Sequence, residues 1–110
     1  MNIEDLRTYC LSLENVTEDL KWENELCFCI SGKIFCMVPM EGPLSVTFKV
    51  RPEEFEELSL RDGFKPAAYL ARAKWVTLKD LSVLTKKELE NYLKQSYTII
   101  KSKLPKKIKK

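Results

Sequence analysis

The sequence predicts an α+β domain, a two-layer sandwich in which helices pack on one face of an antiparallel sheet, in the order α-β-β-β-α-β-β-α. Three observations carry that expectation. Residues 26–38 hold two apolar runs split by Ser31-Gly32, the spacing of a hairpin with a two-residue turn. Leu44, Val46, Phe48 and Val50 alternate with Ser45, Thr47 and Lys49, the period of a strand buried on one side. Residues 85–103 recur instead at three and four, which is a helix period.

The elements follow in order. Ile3, Leu6, Cys10 and Leu13 mark one face of a first helix over about residues 3–13. Asn2 is its predicted N-cap, and Glu4 and Asp5 suit the positive end of its dipole. Residues 14–25 are polar and acidic, with Val16, Leu20 and Trp22 expected to anchor the stretch to the body. In the hairpin a tight turn sets Phe28 opposite Phe35 and Cys27 opposite Cys36, with glycine supplying the positive φ. The Cys27–Cys36 pair then sits at the short end of what a disulfide tolerates, so it is the pair expected to cross-link first under oxidation. Both hairpin faces are apolar: Leu26, Phe28, Ile30, Phe35 and Met37 on one, and Cys27, Cys29, Ile34, Cys36 and Val38 on the other.

Pro39 ends that strand, and Glu41-Gly42-Pro43 makes the next turn. After the alternating strand, Pro52 suits the first position of a helix, Glu53 and Glu54 its first turn, and Phe55 and Leu58 its buried side. Asp62-Gly63 signals a turn, with a short strand expected at Phe64-Lys65. The strand that starts at Trp75 puts Val76 and Leu78 on one side and Trp75, Thr77 and Lys79 on the other. Thr85-Lys86-Lys87-Glu88 has the spacing of a capping box and opens the longest helix. Its stripe is Leu89, Tyr92, Leu93, Ser96, Tyr97 and Ile100. Pro105 stops the helix, and residues 105–110 read as a flexible basic tail on a single domain spanning 1–110.

Composition narrows the function classes. A content of 45% hydrophobic and 32% charged residues fits a soluble globule, and no apolar run approaches the length of a membrane span. The acidic N-terminus is unlike a secretory signal, so a cytoplasmic protein is expected. Histidine is absent. Acid–base work near neutral pH would therefore fall to a perturbed carboxylate, lysine, cysteine or tyrosine, and a cysteine nucleophile would lack a histidine base. The three glycines are scattered and form no phosphate loop. The four cysteines have no paired C-x-x-C spacing, which argues against a zinc site. The sequence points to no enzyme, no cofactor and no metal.

The chain resembles the MmcQ/YjbR family of small bacterial proteins along essentially its whole length. Cys10-Leu11-Ser12-Leu13 and Val16-Thr17-Glu18-Asp19 carry the start of the resemblance, followed by Gly32-Lys33-Ile34-Phe35 and Phe48-Lys49-Val50-Arg51-Pro52-Glu53. It is strongest in Pro66-Ala67-Ala68-Tyr69-Leu70 with Trp75, and in Ser96-Tyr97 with Lys103-Leu104-Pro105. The resemblance implies a secretion-chaperone or frataxin-like α+β fold, and family members are commonly described as DNA-binding. Many members carry Asn at the place of Ala71 and His near the place of Lys74. Any role of those two residues would be missing here.

Charge gives the functional expectation. Residues 1–60 hold 12 acids against 5 bases, whereas residues 61–110 hold 4 against 14. A basic half invites an anionic partner. Lys49, Trp75 and Lys79 on outward strand faces would offer a stacking ring beside ammonium groups, with Arg72 and Lys74 just before the strand. Lys86 and Lys87 stand in the first turn of the last helix, where free amides can hold an anion. The expected function is weak, largely sequence-independent DNA binding. The alternative is a protein-interaction module that homodimerises through the hairpin 26–38, or binds another partner through the uncovered sheet face.

Overall fold

The computed structural model describes residues 1–22 and 24–104. Helix α1 (Ile3–Ser12) is followed by strands β1 (Val16–Lys21), β2 (Glu25–Ile30), β3 (Lys33–Pro39) and β4 (Val46–Lys49). Helix α2 (Pro52–Ser59), β5 (Phe64–Pro66), β6 (Trp75–Leu78) and helix α3 (Lys86–Ser102) complete the chain, with short 3-10 turns at Ala71–Ala73 and Leu81–Val83. The strands form one antiparallel sheet in the order β1-β2-β3-β4-β6-β5. The architecture is the predicted α+β sandwich with one strand more than expected. The predicted tail at 105–110 lies outside the described residues.

The helices begin where local chemistry says they should. Asn2 accepts the Asp5 amide proton at 2.8 Å and caps α1. In α3 the box is reciprocal: the Glu88 amide donates to Thr85 Oγ1 at 3.0 Å, and the Thr85 amide donates to Glu88 Oε1 at 2.8 Å. All three helices lie on the same side of the sheet. Leu6 and Cys10 of α1, Leu58 of α2, and Leu89, Leu93 and Tyr97 of α3 share one core with Phe28, Phe35, Phe48 and Val76. Phe35 meets Tyr97 edge to face, with centroids 5.4 Å apart, a geometry the ring quadrupoles favour.

One buried hydroxyl pins α3 to the sheet. Ser96 Oγ donates to the Phe35 carbonyl at 2.6 Å and accepts the Lys49 amide proton at 3.0 Å. It thereby satisfies one group each from β3 and β4 in a place without water.

The hairpin register departs from the expected one. Ile30 pairs with Lys33 and Cys29 with Ile34, as a tight turn requires, and Ser31 and Gly32 both take positive φ. A bulge then shifts the ladder, so that Phe28 faces Cys36 and Cys27 faces Met37. The extra residue is Phe35. At a bulge two successive side chains can share a side, and here Phe35 and Cys36 both enter the core under the helices. Cys27 and Cys36 therefore lie on opposite sides of the sheet, and the predicted cross-link has no geometric basis. Cys36 instead lies beside Cys10, and all four thiols are free and buried.

The second difference is β1, a strand where a polar stretch was expected. Val16 packs against the core, but Leu20 and Trp22 are exposed and anchor nothing. Glu18 points toward the helices, where Arg7 of α1 holds it through two bonds of 2.5 and 3.0 Å. That pair draws the Glu18 carboxyl below its usual range, first by hydrogen bonding.

Candidate binding face

No helix among the described residues packs on the other side of the sheet, and the residues of that side follow from the register. Asp19, Cys27, Met37, Thr47, Thr77 and Lys65 form one continuous row across all six strands. Thr47 and Thr77 join their hydroxyls at 2.8 Å in its middle. A concave hollow of about 600 Å³ lies over this row, floored by Met37, Pro39, Thr47 and Thr77 and walled by Trp22 and by the Ala67–Leu70 loop. Among the described residues its charged lining groups are one of each sign, Glu25 and Lys65.

Two aromatic side chains rim the hollow, and both are exposed: Trp22 at 67% and Tyr69 fully. Both also take left-handed backbone, with φ of 51° and 64°. Asparagine and glycine visit that region readily, as Asn15, Gly32 and Gly42 do here. A bulky aromatic residue does so at a cost of about 1–2 kcal/mol. Tyr69 recovers nothing by burial, and Trp22 remains 67% exposed.

The thiols on this side are sealed although no helix among the described residues covers them. Cys27 and Cys29 are almost without accessible surface. Burial first, then the neighbouring Cys29 and Glu25, push the Cys27 thiol up to about 11. On the helix side, burial and then the contact with Cys10 raise Cys36 well above the ordinary thiol value.

The residues singled out by sequence fall in three places. Lys49, Arg72 and Lys74 gather at the end of the sheet where β4 and β6 meet the 3-10 turn Ala71–Ala73, with Lys103 nearby. Lys49 Nζ donates to the Ala73 carbonyl there. Burial, then the charges of Lys103 and Lys74, hold its ammonium below the usual lysine range. Lys74 Nζ also stands 5.0 Å over the Phe55 ring. Trp75 pairs with Lys49 on the open side but is only 7% exposed, because the chain from Ala67 to Leu70 folds back and bonds to its backbone at both ends. Its ring is not free for stacking.

Lys79 lies at the other end of β6, exposed. Lys86 and Lys87 are exposed in α3, on the opposite layer, where Lys86 shares a shallow hollow with Asp5, Tyr9 and Glu90. The seven residues thus do not form one surface. Trp22 and Tyr69 are not among the site residues that the sequence singles out. Their signal, a large aromatic just where the chain must turn, becomes informative only with backbone angles in hand.

No helix among the described residues is long and apolar enough to cross a membrane. No curated protein matches the chain. A crystal structure of a protein from Pseudomonas syringae, determined as a Northeast Structural Genomics Consortium target, superposes with a TM-score of 0.75. That similarity covers 90% of this chain and 98% of the other at 22% identity, which establishes a shared fold. The sequence pattern of the YjbR family matches residues 11–99, spanning β1 through most of α3. With that match across the sheet and the last helix, the chain belongs to the YjbR family.

Proposed function

We propose that this protein is a non-enzymatic binding module whose open sheet face docks a protein chain, with Trp22 and Tyr69 as its anchors. One observation carries the reading: both exposed aromatics at the rim of the hollow occupy strained backbone. Strain of this kind clusters where a ligand is held. An apolar floor ringed by a few polar groups, with tryptophan and tyrosine at its margin, is the composition of a recognition surface. The charges of the described lining residues cancel, which suits a polypeptide better than a polyanion.

A display selection of random peptides against the whole chain, followed by amide chemical-shift mapping, tests this. Selected peptides are expected to shift Met37, Thr47 and Thr77 and to lose about tenfold or more in affinity on Tyr69→Ala. Shifts confined to α1 and α3 would overturn it.

The gathering of Lys49, Arg72, Lys74 and Lys103 favours a second reading, a weak polyanion contact at that end of the sheet. Four cations on duplex DNA give a log–log salt slope near −4. An affinity that stays constant between low and moderate salt would remove this reading.

A further inference from the structure

We infer that the chain docked on the open face is a second copy of this protein, related by a two-fold axis that runs parallel to the strands between β3 and β4. The inference rests on the open face being a binding face, and adds the identity and orientation of the occupant.

The argument is the charge pattern along the register. The central row reads Asp19, Cys27, Met37, Thr47, Thr77, Lys65, with an acid at one end and a base at the other. Rotation about an axis through its middle lays Asp19 over the partner copy's Lys65, and Met37 over its Thr47. The adjacent row begins with Lys21 on β1, paired with Glu25, and carries a base at each end and an acid between. Glu25 and Pro39 lie at its β2 and β3 positions, and Lys79, following core-facing Leu78, continues it on β6. The same rotation brings Glu25 over Lys79.

Local pairing does not remove the polarity. Lys21 Nζ lies 3.3 Å from Asp19 on the exposed edge, so Asp19, Lys21 and Glu25 together keep one net negative charge against two positive ones. An axis perpendicular to the strands through the central row would instead set Asp19 on the partner copy's Asp19 and Lys65 on its Lys65, placing like charge on like charge. Isologous contacts need a self-complementary patch, and the strand-parallel axis makes the central row one.

Sheets packed face to face keep their strands nearly aligned at about 10 Å. The face measures about 24 Å across six strands and about 14 Å along four residues, about 340 Å² a side, which is smaller than a standard interface and sets the expectation of a weak, transient dimer. The rotation also carries Trp22, beyond the end of β1, to the Lys79 end of the partner sheet, where a ring and an ammonium attract.

Sedimentation velocity of the full chain between about 5 and about 500 µM, the range suited to so small an interface, reads the outcome. The wild type is expected to shift from one chain mass to two. Asp19→Lys and Lys65→Glu, both at exposed positions, are each expected to weaken association about tenfold or more, because each turns two attractive contacts repulsive. Mixed in equal amounts, the two variants are expected to recover the dimer, since one copy's reversal then complements the other's. Circular dichroism of each variant checks that the fold is intact. Monomer throughout the range overturns the inference, as does a dimer indifferent to both reversals or a mixture that fails to recover. A monomeric wild type whose open face still binds selected peptides sinks the self-association while the binding-face reading stands.

Discussion

The helix-covered and open sides of the sheet use the same six strands and opposite kinds of residue. Under the helices, Phe28, Phe35, Phe48, Val38 and Val76 are fully buried, and Ser96 and Glu18 enter with partners, whereas Ser59 Oγ of α2 is buried without one. On the open side the register lines up threonines, a methionine and charged ends, and two large aromatics stand in solvent on strained backbone. The first side is arranged for stability. The second carries costs that folding alone does not offset, which is how a surface kept for a partner differs from one kept for the fold.

Substitutions should separate the two sides. The largest effect is expected from Phe35→Ala, which empties a fully buried ring position and removes the edge contact with Tyr97. It should cost about 3–5 kcal/mol, read as a lower urea midpoint. Ser96→Ala should cost about 1–3 kcal/mol by the same measurement, since the Phe35 carbonyl and the Lys49 amide both lose their partner. If it cost nothing, the pinning of α3 to β3 and β4 would be disproved.

A smaller effect is confined to alkaline solution. The folded Cys27 thiol sits above its unfolded value, so the native state holds its proton longer. That stabilisation is complete below about pH 9 and is lost as pH rises toward about 11. Cys27→Ala should flatten the alkaline limb of the stability curve, and an unchanged limb would show that this thiol ionises freely. The smallest effect, and the one of opposite sign, belongs to the open side. Tyr69→Gly relieves the left-handed strain and partly offsets it with chain entropy, for a gain of about 0.5–1 kcal/mol, while peptide binding falls. A loss of stability would mean that the Tyr69 ring supports the fold after all.

Both sides were partly legible in the residues, and for different reasons. The alternation at Val46 and Phe48, the box at Thr85 and Glu88, and the stripe from Leu89 to Tyr97 each span only a few positions, and the structure has each where its period placed it. β1 was hidden because its inward position 18 is a glutamate, which breaks the apolar alternation unless Arg7 is known to neutralise it. The bulge at Phe35 was hidden because neither glycine nor proline marks it. One extra residue there moved Cys36 from the open side to the helix side.

The sequence by itself determined the kind of every element but β1, where the helices start, the side of α3 that is buried, and the family. These depend on contacts three or four residues apart and on patterns carried within single elements. Only the tertiary structure decided the hairpin register, the covering of Trp75 by the loop before it, and the exposure of Trp22 and Tyr69. Those outcomes depend on groups far apart along the chain, such as Ser96 and Phe35, 61 residues apart, and on backbone angles that no residue type dictates alone.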